Sequence, residues 1–168
     1  MDLRLKLLSP DQVGENYVKW MNDPEVTRYL ESRFRPYTKQ DLVDFVRSVS
    51  SSGRDFLFGI FDGDVHIGNI KIGSVDWKHR YGDLGLVIGL KEYWGRGIAT
   101  EAIRFCCSYA HRELGLRKLF AGIYDGNTGS LKAFLKAGFR QVGVLQEHRL
   151  LDGVYVDEVL VEKLLARL

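Results

Sequence analysis

Cysteine is nearly absent from this chain: two residues, Cys106 and Cys107, stand side by side among 168. Adjacent side chains on a helix diverge, which argues against an ordinary structural disulfide between them. An excess of charge of either sign is also missing. Lys and Arg number 24 against 22 Asp and Glu, a formal net charge of +2. That near-balance offers no electrostatic footprint for bulk nucleic-acid or membrane binding. No run approaches the roughly 18 apolar residues of a membrane-spanning helix. The first ten residues mix Asp2, Arg4 and Lys6 among their leucines, unlike a secretory leader. Internal repeats and low-complexity tracts are lacking. These absences point to a reduced, cytoplasmic protein. With 45% apolar and 27% charged residues, the composition is that of an ordinary soluble globule. The length suits a single domain over 1–168, able to bury about two-thirds of its unfolded surface without a metal or disulfide.

What is present is periodicity. Leu3, Leu5 and Leu7 alternate with Arg4 and Lys6, the pattern of a half-buried strand. Ser9 or Asp11 is placed to cap a helix running to about Asn22, where Pro24 breaks it. Thr38-Lys39-Gln40-Asp41 reads as a capping box before a helix through about Ser50. Strands are expected over 55–61 and 65–75, joined by Asp62-Gly63-Asp64. A third, 84–90, is nearly all apolar, as for a strand covered on both faces. A helix from Ile98 to about Glu113 follows, then a strand at 118–124 and a helix at 127–137. The last two strands, 141–151 and 154–164, meet at Asp152-Gly153, a strong hairpin signal. The order βααβββαβαββ implies an α/β fold with a central mixed sheet and helices on its faces.

Glycine is the one enriched residue: 18 in 168, about 11% against an average near 7%. Gly95 and Gly97 fall where a strand, a short loop and a helix start meet. A helix N-terminus leaves its first amides unpaired and carries a partial positive charge. Small residues at 95, 97 and 99 let a phosphate approach those amides without meeting a side chain, and Arg96 adds a fixed cation. A phosphate-bearing ligand and a merely tight strand-to-helix turn are both consistent with the spacing. Gly97 is followed three residues on by Thr100, so the dinucleotide fingerprint G-x-G-x-x-G is absent. No Gly-Lys-Ser/Thr phosphate loop is present either.

The run Tyr93-Trp94-Gly95-Arg96-Gly97-Ile98-Ala99-Thr100-Glu101-Ala102 resembles the acyl-CoA-binding motif of the GNAT acetyltransferase superfamily. Trp94 stands where Gln or Arg is usual, a departure common in the RimJ/RimL branch. Trp20 to Val26, Asn127-x-x-Ser130 followed by Lys136-Ala137-Gly138-Phe139, and Asp152 to Asp157 are similar to the same branch. The four signatures run in the right order over nearly the whole chain. The resemblance implies a single-domain fold with a mostly antiparallel sheet, and acetyl-CoA as cosubstrate without a metal. It implies that the diphosphate sits on the backbone of Trp94, Gly95, Arg96, Gly97, Ile98, Ala99 and Thr100, with Asn127 contributing. The pantetheine arm would pair with the main chain of Leu86, Val87 and Ile88. The reaction is then direct attack of an amine on the thioester, with an amide near Val87 or Ile88 serving the oxyanion.

For the base, the resemblance points to Asp83, where glutamate is more usual. Glu147 and His148 are weaker candidates, and Glu101 suits a structural role at a helix start. The family's frequent proton-donating tyrosine is here Phe134, which leaves Ser130 or Tyr124 as donor. His66 and His79 belong to polar packing. The acceptor wall falls on Arg28, Tyr29, Arg33 and Arg35, arginines interleaved with aromatics that suit an anionic small-molecule amine such as a nucleotide-linked amino sugar. Glu31, Asp157 and Glu158 argue instead for a cationic acceptor, a polyamine or a protein N-terminus. A non-catalytic acyl-CoA sensor is the third reading. The terminal hairpin offers an edge open to pairing in a homodimer.

Overall fold

Seven strands form one sheet in the order β1-β2-β3-β4-β5-β7-β6 in the computed structural model, which describes residues 1–165. The strands are β1 (Leu3–Leu7), β2 (Phe56–Asp62), β3 (Val65–Asp76), β4 (Tyr81–Ile88), β5 (Lys118–Tyr124), β6 (Arg140–Leu151) and β7 (Val154–Leu164). The helices are α1 (Glu15–Met21), α2 (Pro24–Thr27), α3 (Lys39–Ser51), α4 (Ile98–Arg112) and α5 (Thr128–Lys136). Every neighbouring pair of strands is antiparallel except β4 and β5. The expected mixed, mostly antiparallel α/β fold is therefore present.

Two apolar clusters sandwich the sheet. On one face α1 and α3 lay Tyr17, Trp20, Met21, Leu42, Val46 and Val49 against Leu57 and Phe61. On the other, α4 brings Ile98, Ala102, Ile103, Cys106 and Ala110 onto Phe58, Ile70, Ile72 and Leu84, with Phe134 of α5 in the same cluster. The 3.6-residue spacing of those α4 positions is what turns one stripe of the helix inward. Both cysteines are buried free thiols, and burial pushes Cys107 up to about 11.

Several boundaries land where residue chemistry put them. Thr38 accepts from the Asp41 amide at 3.1 Å while Asp41 accepts from the Thr38 amide at 2.7 Å, the reciprocal box that opens α3. Asp152 and Gly153 take φ of +51° and +80°, both left-handed, as a two-residue turn between β6 and β7 requires.

Three expectations need correction. The first helix does not run from Ser9 to Asn22. A 3₁₀ turn at Pro10–Gln12 comes first, and α1 begins only after the extended Gly14. Pro24 does not simply end a helix: with Asp23 accepting from the Glu25 amide, it starts α2, which adds an element to the expected order. Finally, β4 is not covered on both faces. Gly85 is exposed and Leu86, Val87 and Ile88 are only half-buried, because β4 loses its neighbour on one side.

Candidate active site

That lost neighbour defines the site. β4 and β5 pair as parallel strands at just three positions, Tyr81–Lys118, Gly82–Leu119 and Asp83–Phe120. Beyond them β5 stays with β7 out to Tyr124, while β4 stays with β3 out to Ile88. The sheet is split from within, and the main chain of Leu84 to Ile88 has no strand on that side.

Helix α4 starts beside this gap. Gly95 (φ +74°) and Gly97 (φ +80°) are both left-handed, a conformation that glycine adopts without the cost a Cβ would bring. A Cβ built at either would meet nothing within 4 Å, so the space in front of the turn is open. Gly97 caps α4 with no side-chain bond, whereas Thr38 caps α3 and Asn127 caps α5. Of the three helices longer than two turns, the one at the gap alone keeps its leading amides unsatisfied by a side chain. Arg96 is exposed, lies over the Tyr93 ring at 5.4 Å and makes no ion pair among the described residues. Trp94 turns back, its indole N–H donating to the Ile88 carbonyl at 2.8 Å. Thr100 is buried, and Ala99 is half-buried beside it. Glu101 pairs with Arg104 at 2.7 Å one turn on.

Across the gap, Asn127 accepts from the Ser130 amide at 3.4 Å, holding the half-buried Ser130 in the first turn of α5. Phe134 is buried against Phe139, ring centroids 5.0 Å apart, and works as core. Asp83 sits at the closed end of the gap, its Oδ1 shielded from water and without a hydrogen-bond partner. A Cβ at Gly73 would come within 2.7 Å of that oxygen.

The opposite lip is a polar network that the sequence did not reveal. The Tyr124 hydroxyl donates to Glu31, while Arg33 donates to the same hydroxyl oxygen at 2.9 Å and also to the carbonyls of Leu30 and Leu150. Arg149 bridges Glu31 at 3.1 Å and Glu158 at 2.9 Å, and its own affinity for its proton is raised, chiefly by Glu158. His148 approaches the second Glu158 oxygen at 3.5 Å. Glu158 is 5% exposed and lies over Gly122, where a Cβ would meet its Oε1 at 2.0 Å. Burial, followed by the bond to Glu31, pushes the Tyr124 hydroxyl above its ordinary range. Glu147, at φ +46°, sits in the irregular stretch of β6, its amide donating to Asp157 at 2.8 Å.

The arginines of the expected acceptor wall are largely spoken for. Arg28 pairs with Asp152 at 3.2 Å, Arg35 pairs with Asp41 at 3.6 Å, and Arg33 is held as described. Tyr29 meets Tyr124 edge to face at 6.1 Å. Arg28, Arg33, Arg35 and Asp152 border a cleft of about 420 Å³ between α2, the 33–36 stretch and the β6–β7 turn. A larger cavity, about 580 Å³, lies by Arg80 and Arg117 at the opposite ends of β4 and β5, away from the gap. His66 is buried, stacked on Phe61 and bonded to Asn69 at 2.7 Å; His79 is exposed. Among the described residues no three His, Cys, Asp or Glu side chains gather closely enough to hold a metal ion, and no helix is long and apolar enough to cross a membrane.

A split sheet with an uncapped, glycine-led helix at the split offers an extended ligand a bare strand edge and an anionic group a set of free amides. The model of the acetyltransferase (GNAT) domain matches residues 2–140, and the chain belongs to that family. Among its relatives, the uncharacterized N-acetyltransferase YoaA of Bacillus subtilis is 30% identical over 151 residues, covering 88% of this chain and 85% of its own. The uncharacterized N-acetyltransferase p20 of Bacillus licheniformis is 27% identical over 145 residues, covering 83% and 80%. In fold the chain is similar to the spermidine N-acetyltransferase of Vibrio cholerae crystallised with CoA and spermine. The TM-score is 0.86 at 21% identity, over 97% of this chain and 95% of that one.

Proposed function

We propose that this acetyltransferase moves an acetyl group from acetyl-CoA to the primary amine of a small, cationic acceptor, by direct attack with both substrates bound. The reading rests on one observation: β4 and β5 part after Asp83 and Phe120, beside a helix whose leading amides no side chain caps. The residues present fit the cosubstrate. Open space in front of Gly95 and Gly97, the unpaired Arg96 and the leading amides of α4 suit a diphosphate. The bare main chain of Leu86, Val87 and Ile88 suits an amide-bearing arm, and Asn127 borders the same opening. Acetyl-CoA supplies the activated acetyl thioester.

The chain's own groups then have distinct tasks. Ser130 is the proton donor to the departing thiolate, because the alternative is already committed. An ionised glutamate only accepts and an arginine only donates, so the single Tyr124 proton points at Glu31. Asp83, a carboxylate without a partner at the closed end of the gap, favours an ammonium there. With Arg28, Arg33 and Arg35 engaged within the protein, the case for an anionic acceptor loses support, and Asp83, which makes no ion pair among the described residues, favours a cationic one. The spermine bound in the Vibrio cholerae neighbour is an acceptor of this charge class. The chain acts as one domain, in the RimJ/RimL-like branch, and its two buried free thiols suit a cytoplasmic location.

Thiol release from acetyl-CoA is the test, across a panel of spermidine, a nucleotide amino sugar and an N-terminal peptide. Turnover with the cationic small amine is expected. Acetyl-CoA binding without thiol release on any amine would leave a sensor rather than an enzyme of this specificity. Turnover confined to the nucleotide sugar would restore the anionic acceptor.

A further inference from the structure

Direct attack requires an amine without its proton, and at neutral pH a primary amine carries one. Asp83 is at the closed end of the gap, its Oδ1 shielded from water and without a hydrogen-bonded neighbour to which a proton could pass. Tyr124 is placed differently. It lies on β5 four residues past Phe120, the last residue paired with β4, which at about 3.3 Å per residue puts its main chain roughly 13 Å along the open edge, with its buried side chain reaching Arg33 and Glu31. Its oxygen receives one bond from Arg33 and its proton is given to Glu31, so one lone pair remains. The Glu31 side chain is 59% exposed, in open contact with water.

We infer that Tyr124 and Glu31 form the exit path for the acceptor's proton. As an ammonium donates to the free lone pair of Tyr124, its N–H bond breaks and a new O–H bond forms. The original Tyr124 proton passes to the Glu31 carboxylate, and Glu31 releases it to bulk water. The electron pair of the broken N–H bond stays on nitrogen as the nucleophile, and tyrosine and glutamate end as they began. The tyrosine never needs to exist as a free phenolate, a form that its surroundings disfavour.

The surrounding charges fit that task. Arg33, from the same 3₁₀ turn as Glu31, fixes the hydroxyl so that its proton faces the carboxylate. Arg149 of β6 holds Glu31 at 3.1 Å and is anchored in turn to Glu158 of β7. His148 faces Glu158 rather than Glu31, and Tyr29 meets Tyr124 ring against ring at 6.1 Å. Glu31 is thus a positioned proton acceptor that works through Tyr124.

This inference rests on the amine-acetylation reading and is separable from it. The experiment measures kcat/KM from pH 6.5 to 9.5 for the wild type, Glu31→Gln, Tyr124→Phe and Asp83→Asn, with spermidine as acceptor or, if it is not turned over, whichever panel amine is. Thermal melts and acetyl-CoA affinity serve as controls for folding. Glu31→Gln and Tyr124→Phe are each expected to lose at least tenfold at pH 7. The deficit should shrink steadily as pH rises, because bulk water then supplies free amine. A deficit of constant size at every pH would mean that the network only supports the lip, and would overturn the inference. So would an undiminished rate in Glu31→Gln, or a pH-dependent deficit confined to Asp83→Asn. A wild type inert toward every amine would instead remove the reading beneath it.

Discussion

Gly97→Ala separates a ligand cradle from a turn that happens to need glycine. An alanine at φ +80° pays a conformational cost of about 1 kcal/mol or somewhat more. Nothing lies within 4 Å of the added methyl, so no clash adds to it. Gly115 provides the matched control, since it is left-handed at φ +64°, equally open, and sits beyond the far end of α4. For a domain of this size 1 kcal/mol corresponds to roughly 2–4 °C in Tm. Both variants should therefore melt a few degrees early and by similar amounts. Only the methyl at 97 intrudes where a diphosphate would meet the helix amides. Losing one such charge-assisted bond costs about 1.5–3 kcal/mol, roughly a 10- to 150-fold rise in the acetyl-CoA dissociation constant. Calorimetric titration of acetyl-CoA into both variants gives the answer. Equal affinities in Gly97→Ala and Gly115→Ala would refute the cradle and leave only the turn.

Other perturbations probe other parts. Ser130→Ala should lower kcat at least tenfold, about 1.4 kcal/mol of barrier, with little change in acetyl-CoA affinity; an unchanged kcat in steady-state assays would return the donor role to Tyr124 or solvent. Gly122→Ala must push the buried Glu158 carboxylate off Arg149, a charged bond worth about 1.5–3 kcal/mol, partly offset by alanine's better strand propensity, so a Tm drop of several degrees is expected in calorimetry. His66, whose burial disfavours the charged ring, is held below its ordinary value of 6.5. The unfolded chain therefore binds more protons there than the native one as pH falls below about 6.5, and the native state loses stability on the way down. Replacing His66 with Gln should flatten urea-derived stability between pH 7 and 5; an unchanged slope would assign the pH dependence to other groups.

The elements most legible in the sequence were those whose signals are local. The span of β5, the box at Thr38 and the left-handed pair Asp152-Gly153 are each set within a few residues. The N-terminal region failed for a related reason: Ser9, Asp11 and Asp23 all carry cap chemistry, and only packing decides that Gly14 and Pro24 open the helices. The apolar run of β4 pointed to two covered faces, but alternation cannot report that a neighbouring strand departs after three rungs. In the candidate site, the glycine-led turn was readable because backbone chemistry leaves its mark in residue type. The Glu31–Tyr124–Arg149–Glu158 network was not. Its members lie up to 127 positions apart, and it exists only because β5, β7 and β6 register Tyr124 beside Glu158 and Leu145.

The parted strands carry an evolutionary consequence. A ligand that docks there as an extra rung is read by the spacing of its amides, not by the identity of side chains at 84–88. Those side chains answer to the apolar layer beneath and to water above. Their letters are free to drift without altering what such a ligand meets, while inserting one residue would shift every rung and silence the whole row.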